Sequence, residues 1–134
     1  MTRIYSFLFL FFLLSAPKAH AFTKVSPKAY SYSLTDVDYS KADSTKVVKL
    51  LREASRLKSS TNWMTYFGKQ FCGVPYVAKT LERNNTERLI VNLRQLDCTT
   101  FVETTLALTL CAKNGKTSFA DYCHYLRLVR YRQG

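Results

Sequence analysis

Apolar residues crowd the first fourteen positions and then recur at helical spacing through most of the chain. Ile4 to Leu14 is an almost unbroken apolar run behind a basic Arg3, and a short polar stretch follows, ending in Ala19-His20-Ala21. That order predicts a secretory signal peptide over residues 1–21 with an A-x-A cleavage site. The run is too short to span a bilayer, which takes roughly 20 residues. Residues 22–43 are polar and lack a period, so they read as a flexible or extended lead-in. Asp43 or Ser44 then caps a helix reaching about Lys58. Its apolar face is Val47, Leu50, Leu51, Ala54 and Leu57; its charged face is Lys46, Lys49, Arg52, Glu53 and Arg56.

A second short helix, about Asn62 to Phe71, presents Met64, Phe67 and Phe71 with Trp63 beside them. Cys72-Gly73-Val74-Pro75-Tyr76 breaks it, because Pro75 disfavours helix before it and Gly73 takes backbone angles closed to other residues. Tyr76 to Leu81 reads as a short strand and 82–87 as a charged loop. Leu89-Ile90-Val91-Asn92-Leu93 is the clearest strand. Asp97 opens the most apolar helix after the leader, Cys98 to about Lys113. Its apolar residues point nearly all round, which predicts a buried, central helix. Asn114-Gly115 ends it. Ser118 caps a last helix to about Val129, with Phe119, Tyr122, Cys123, Leu126 and Val129 inward. The class is α+β, mainly helical with one or two short strands, and residues 44–134 form one domain.

Charge narrows the partners. The chain has 20 basic and 9 acidic residues, and without Arg3 and Lys18 it remains near +9. A basic surface suits an anionic partner or serves solubility alone. Export argues against nucleic acid, and confines membrane contact to export itself. The expected location is the periplasm or the extracellular space.

The four cysteines, Cys72, Cys98, Cys111 and Cys123, contain no CxxC pair. A zinc knuckle is therefore not expected, and no disulfide pairing follows from the spacing. With His20 in the leader, His124 is the single histidine left. One histidine excludes multi-histidine zinc sites, so neither metal nor cofactor is expected.

Asp97-Cys98-Thr99-Thr100-Phe101-Val102-Glu103 carries the candidate chemistry. Cys98 falls at the first helical position, where free amides and the macrodipole favour an anion such as a thiolate. Asp97 is placed to accept from the Thr100 amide and fix the helix start. The competing reading is a small buried cysteine without chemistry. A thiol nucleophile needs a base, usually an oriented histidine. His124 points away from its helix's apolar stripe and is poorly placed for that role.

The strings Gly73-Val74-Pro75-Tyr76-Val77-Ala78-Lys79-Thr80-Leu81-Glu82 and Leu89 to Glu103 resemble the N-acetylmuramoyl-L-alanine amidase-like family, which is grouped with NlpC-type, papain-like cell-wall hydrolases. The closing Arg130-Tyr131-Arg132-Gln133-Gly134 also resembles a family segment. The resemblance covers roughly Thr61 to Gly134. It implies Cys98 as nucleophile, Asp97 and Thr99 at the oxyanion-holding helix start, and Gly73, Pro75 and Tyr76 lining the substrate cleft. It implies peptidoglycan or muropeptides as substrate. In such folds the base histidine comes from a sheet later in the chain. The expectation is thus the front half of a papain-like domain, its C-terminal sheet missing and its hydrolase apparently truncated. The rival readings are an inactive fragment or wall-binding remnant lacking the catalytic histidine, and a disulfide-stabilised secreted effector.

Overall fold

The computed structural model describes residues 34–82 and 87–131. The expected signal peptide, residues 1–21, lies outside these, as do most of the expected lead-in and residues 132–134. The described residues fall within one compact unit. Among them no helix is long and apolar enough to cross a membrane.

The architecture is α+β and mainly helical. A 3-10 turn at Leu34–Asp36 leads into strand β1, Val37–Tyr39. Helices α1, Lys41–Ala54, and α2, Trp63–Lys69, follow. Strand β2 is Leu89–Val91, and helices α3, Cys98–Lys113, and α4, Phe119–Arg130, complete the fold. Strands β1 and β2 pair in parallel, Val37 with Leu89 through Tyr39 with Val91. A parallel pair needs a crossover, and α1 and α2 supply it. Residues 34–43, expected to belong to a flexible lead-in, therefore carry a strand and the first turn of α1. Only pairing with β2, some fifty residues on, makes Val37–Tyr39 a strand.

Helix α1 starts earlier than its sequence implied. Ser40 is the N-cap, and Asp43 is the third residue of a capping box. The Asp43 amide donates to Ser40 Oγ at 3.1 Å, and the Ser40 amide donates to Asp43 Oδ2 at 3.2 Å. Asp43 is only 1% exposed. Its second oxygen accepts from the Leu93 amide at 3.0 Å and faces Arg94 Nε at 3.4 Å. One carboxylate thus caps α1 and ties it to the chain leaving β2. The helix ends at Ala54, which leaves Leu57, expected on the inner face, 42% exposed.

The core gathers Val47, Leu50 and Leu51 of α1, Phe67 of α2, Leu108 of α3, and Tyr122 and Leu126 of α4. In α2, Trp63 and Phe67 are buried, but Met64 turns outward and is 40% exposed, its sulfur accepting from Thr109 Oγ1 at 3.3 Å. The expected strand over Tyr76 to Leu81 is reduced to one bridge, Tyr76 with Leu96. Lys79, at φ 61°, turns the chain out of extended geometry.

Helix α3 has the limits expected, but its faces do not. Thr100, Thr104, Thr105 and Thr109 are buried with Ala107, Leu108 and Cys111, while Phe101 and Val102 are exposed. Threonine presents a methyl to the core, and the hydroxyls here have different fates: Thr100 Oγ1 donates to Asp97 Oδ1 at 2.8 Å, Thr109 Oγ1 donates to Met64 Sδ, and Thr105 Oγ1 has no partner among the described residues. A polar-looking stripe therefore faces inward. Gly115, at φ 64°, takes the left-handed position after the helix. The Lys116 amide donates to the Cys111 carbonyl at 2.9 Å, closing the end as a Schellman turn.

Asp43→Ala should cost roughly 3 kcal/mol, since it strands the buried Leu93 amide as well as removing the cap partner. Ser40→Ala should cost about 1 kcal/mol. Denaturant titration of the two variants checks this. Equal losses would show that the Leu93 contact contributes nothing.

Candidate active site

Cys98 is the first residue of α3, and its side chain is exposed. Asp97 caps the helix, accepting from the Thr100 amide at 2.8 Å, while the Asp97 amide donates to Thr100 Oγ1 at 2.9 Å. These bonds from Thr100, backbone first and side chain second, hold the Asp97 carboxyl below the usual carboxylate range. Asp97 is committed as a cap and is a poor proton acceptor. Thr99 stands beside the thiol, with Oγ1 4.0 Å from Cys98 Sγ.

The turn holding Gly73, Pro75 and Tyr76 is fastened to this helix start. The Leu96 amide donates to the Pro75 carbonyl at 3.2 Å, and the Val77 amide donates to the Leu96 carbonyl at 3.1 Å. Leu96 is two residues before Cys98. Strand spacing then places Tyr76 within roughly 11 Å of chain path from Cys98. Gly73 sits at φ 85°, where an L side chain is strained. Tyr76 is 70% exposed. With exposed Phe101 and Val102 on α3, it makes an open, partly apolar shelf around the thiol. The two best-formed cavities lie elsewhere and include none of these residues.

His124 does not join this group. Helices α3 and α4 form a hairpin, and Arg130 Nε bonds Glu103 Oε2 at 2.8 Å, which sets their antiparallel register. On that register His124 lies about 11 residues, or roughly 16 Å, along the axis from Cys98. His124 is half-buried against Tyr125, with ring centroids 5.2 Å apart. Burial lowers its pKa from the ordinary value, against a smaller raising effect from Asp121.

The Glu103–Arg130 pair itself was not assigned a role from sequence, although both residues lie in the segments resembling a family. Arg130 also donates from a second guanidinium nitrogen to the Ile90 carbonyl at 2.8 Å. It thereby fixes α3 and α4 against β2. Their side chains are 15% and 8% exposed, for Glu103 and Arg130 respectively.

The other cysteines divide by burial. Cys72 is exposed near the turn, and Cys111 and Cys123 are buried between α3 and α4. Burial pushes the Cys111 thiol far above its ordinary range and the Cys123 thiol up to about 12. Both stay protonated and inert as nucleophiles. All four are free thiols in this structure. Among the described residues no three His, Cys, Asp or Glu side chains converge to hold a metal ion.

A family model described as N-acetylmuramoyl-L-alanine amidase-like (AmiA-like) matches residues 66–134, just over half the chain. The match takes in the Gly73–Val77 turn, β2, α3 and α4, and leaves β1 and α1 outside it. Comparison with curated proteins and with solved structures found no match.

Two expectations follow. Native-state alkylation should label Cys98 and Cys72 and spare Cys111 and Cys123 until denaturant is added; mass spectrometry of the labelled chain reads this directly. Asp97, with its lowered folded pKa, stabilises the fold fully above the ordinary carboxylate value of about 3.9, and that contribution is lost as pH falls through its lowered value. Asp97→Asn keeps a capping oxygen, so neutral-pH stability should stay within about 1 kcal/mol while the acid limb of the stability curve flattens. An unchanged acid limb would mean that Asp97 is not the titrating group.

Proposed function

The chain belongs to the N-acetylmuramoyl-L-alanine amidase-like family, and from that premise we propose that it is an exported peptidoglycan hydrolase using Cys98 to cleave an amide bond. The observation that carries the reading is one exposed thiol at a helix start, with the Gly73–Val77 turn hydrogen-bonded alongside. The Cys98 thiolate adds to the amide carbonyl carbon. Charge passes to the carbonyl oxygen, where amides of the first turn of α3 hold it. The C–N bond then breaks, the amine leaves with a proton, and water hydrolyses the thioester. Tyr76, Gly73 and Pro75 line the shelf on which the stem peptide rests.

A proton carrier is the demanding component. Asp97 is held as a cap, Glu103 is paired with Arg130, and His124 is displaced along the hairpin. That geometry favours a second reading in which the chain binds wall polymer without cutting it.

The test incubates the purified chain with isolated sacculi and follows released muropeptides and any covalent adduct by mass spectrometry. Hydrolysis should fall by about 10³-fold or more in Cys98→Ala. Added imidazole should accelerate the wild-type reaction and leave Cys98→Ala unchanged, since it supplies the proton carrier. Sacculus binding with no adduct and no release, with or without imidazole, would overturn catalysis and leave the binding reading.

A further inference from the structure

A groove of about 640 Å³ runs along α1, and Cys98 is not among the residues that line it. Its floor is apolar: Tyr39 at the end of β1, Phe119 at the start of α4, and Val48 of α1. The Tyr39 and Phe119 rings lie 4.7 Å apart between centroids, tilted by 48°. Its wall is basic: Lys49, Arg52 and Arg56 line it. Lys49 and Arg52, three residues apart, share one side of α1, and Arg56 follows in the turn just past the helix end at Ala54.

These cations are not neutralised by the protein. Lys49 meets Glu53 only at 4.0 Å, with both side chains largely exposed, which makes a weak and exchangeable pair. Among the described residues Arg52 and Arg56 have no carboxylate partner. Three cations against one acid leave the groove positive, in a chain that is +11 overall.

We infer that this groove is a binding site for an anionic saccharide polymer, with a sugar ring seated on the exposed ring of Tyr39, which the buried Phe119 backs, and its acidic substituents on Lys49, Arg52 and Arg56. Three cations along one groove fit repeated negative charges along a chain better than a single ion. An exposed aromatic face beside them takes the apolar side of a sugar ring, which isolated phosphate or a simple salt does not offer. The volume falls within the range of ordinary ligand sites. The choice of wall glycan as the polymer rests on the hydrolase-family reading above; the groove itself rests on residues outside the family match, apart from Phe119.

The groove and the thiol stand near opposite ends of α3, since Phe119 opens the helix that follows the far end of α3 while Cys98 starts α3. A 16-residue helix is about 24 Å long. The groove thus holds wall polymer at a distance from the thiol and contributes affinity without touching the reacting bond.

The test measures sedimentation of the full chain with purified sacculi in a Cys98→Ala background, so that cleavage does not consume the ligand. Arg52→Glu with Arg56→Glu, and separately Tyr39→Ala, should each weaken binding by roughly tenfold or more. Added salt should weaken wild-type binding and affect the charge-reversed variant less. Unchanged circular dichroism and denaturation midpoints for these surface variants show that folding is intact; where Tyr39→Ala loses stability, Tyr39→Phe, which keeps the ring, should bind as wild type. Wild-type levels of binding in the charge-reversed variant, or no binding by the unmodified groove, overturn the proposal. Groove-dependent binding to anionic lipid vesicles or to single-stranded RNA in place of sacculi overturns it in favour of those partners. Hydrolysis of a soluble muropeptide, read separately with Cys98 intact, reports on catalysis alone. Its absence alongside groove-dependent binding removes only the hydrolase, whereas its persistence without groove-dependent binding removes only the groove.

Discussion

The guanidinium of Arg130 bonds two elements other than its own and is the contact on which the arrangement of the thiol-bearing half depends. From the end of α4 it holds Glu103 on α3 and the Ile90 carbonyl on β2. Burying such a pair is expensive, because both charges leave water. The cost is offset only when the hydrogen-bonding groups around it are met. Here the second guanidinium nitrogen finds a backbone acceptor, which fixes the height of the hairpin against the sheet. Hydrophobic packing between α3 and α4 is non-directional and would tolerate small slips along their axes. The ion pair does not.

The same economy appears in the six residues between β2 and α3. Leu93 is held by Asp43, Leu96 by Pro75 and Val77, and Asp97 by Thr100. The backbone leading into Cys98 is thus tied at three points to α1, to the Gly73–Val77 turn and to α3 itself. Its side chain nevertheless faces outward. Rigid backbone beneath an exposed reactive atom is what a nucleophile requires, since a small displacement of the attacking atom is costly in rate. Cys111 and Cys123 lie inward, whereas Cys98 and Cys72 are exposed.

Much of this was legible in the sequence where the controlling interaction is local. Asp97, Ser118 and Asn114-Gly115 mark the ends of α3 and α4 because capping acts across three or four residues. The features that escaped are those decided by distant partners. Val37–Tyr39 becomes a strand only through β2. Asp43 looks like a helix cap in sequence, and only the fold shows that its other oxygen holds Leu93. Glu103 and Arg130 are 27 residues apart, and no period links them. The inward threonines of α3 escaped for another reason. A hydropathy pattern treats threonine as polar, whereas its methyl packs against the core as a small apolar group does. The stripe at Thr100, Thr104, Thr105 and Thr109 therefore faces the core, and Phe101 and Val102 are turned out beside the thiol.

That inversion bears on function. A helix that buries its threonines and exposes its aromatic and aliphatic residues at one end gives up favourable burial there. Exposed apolar surface at the first turn of α3, beside Tyr76 and Cys98, is consistent with contact to something other than water. At the other end of the same helix the surface is of a different kind, a groove lined by Lys49 and Arg52 of α1, by Arg56 just after it, and by Tyr39 and Phe119. One end offers a thiol and an apolar shelf; the other offers cations along a groove. A polymer with repeated acidic groups and amide-linked side branches has chemistry that matches both. On the reading proposed above, it would be gripped by charge along the strand at one end while a branch is presented to Cys98 at the other.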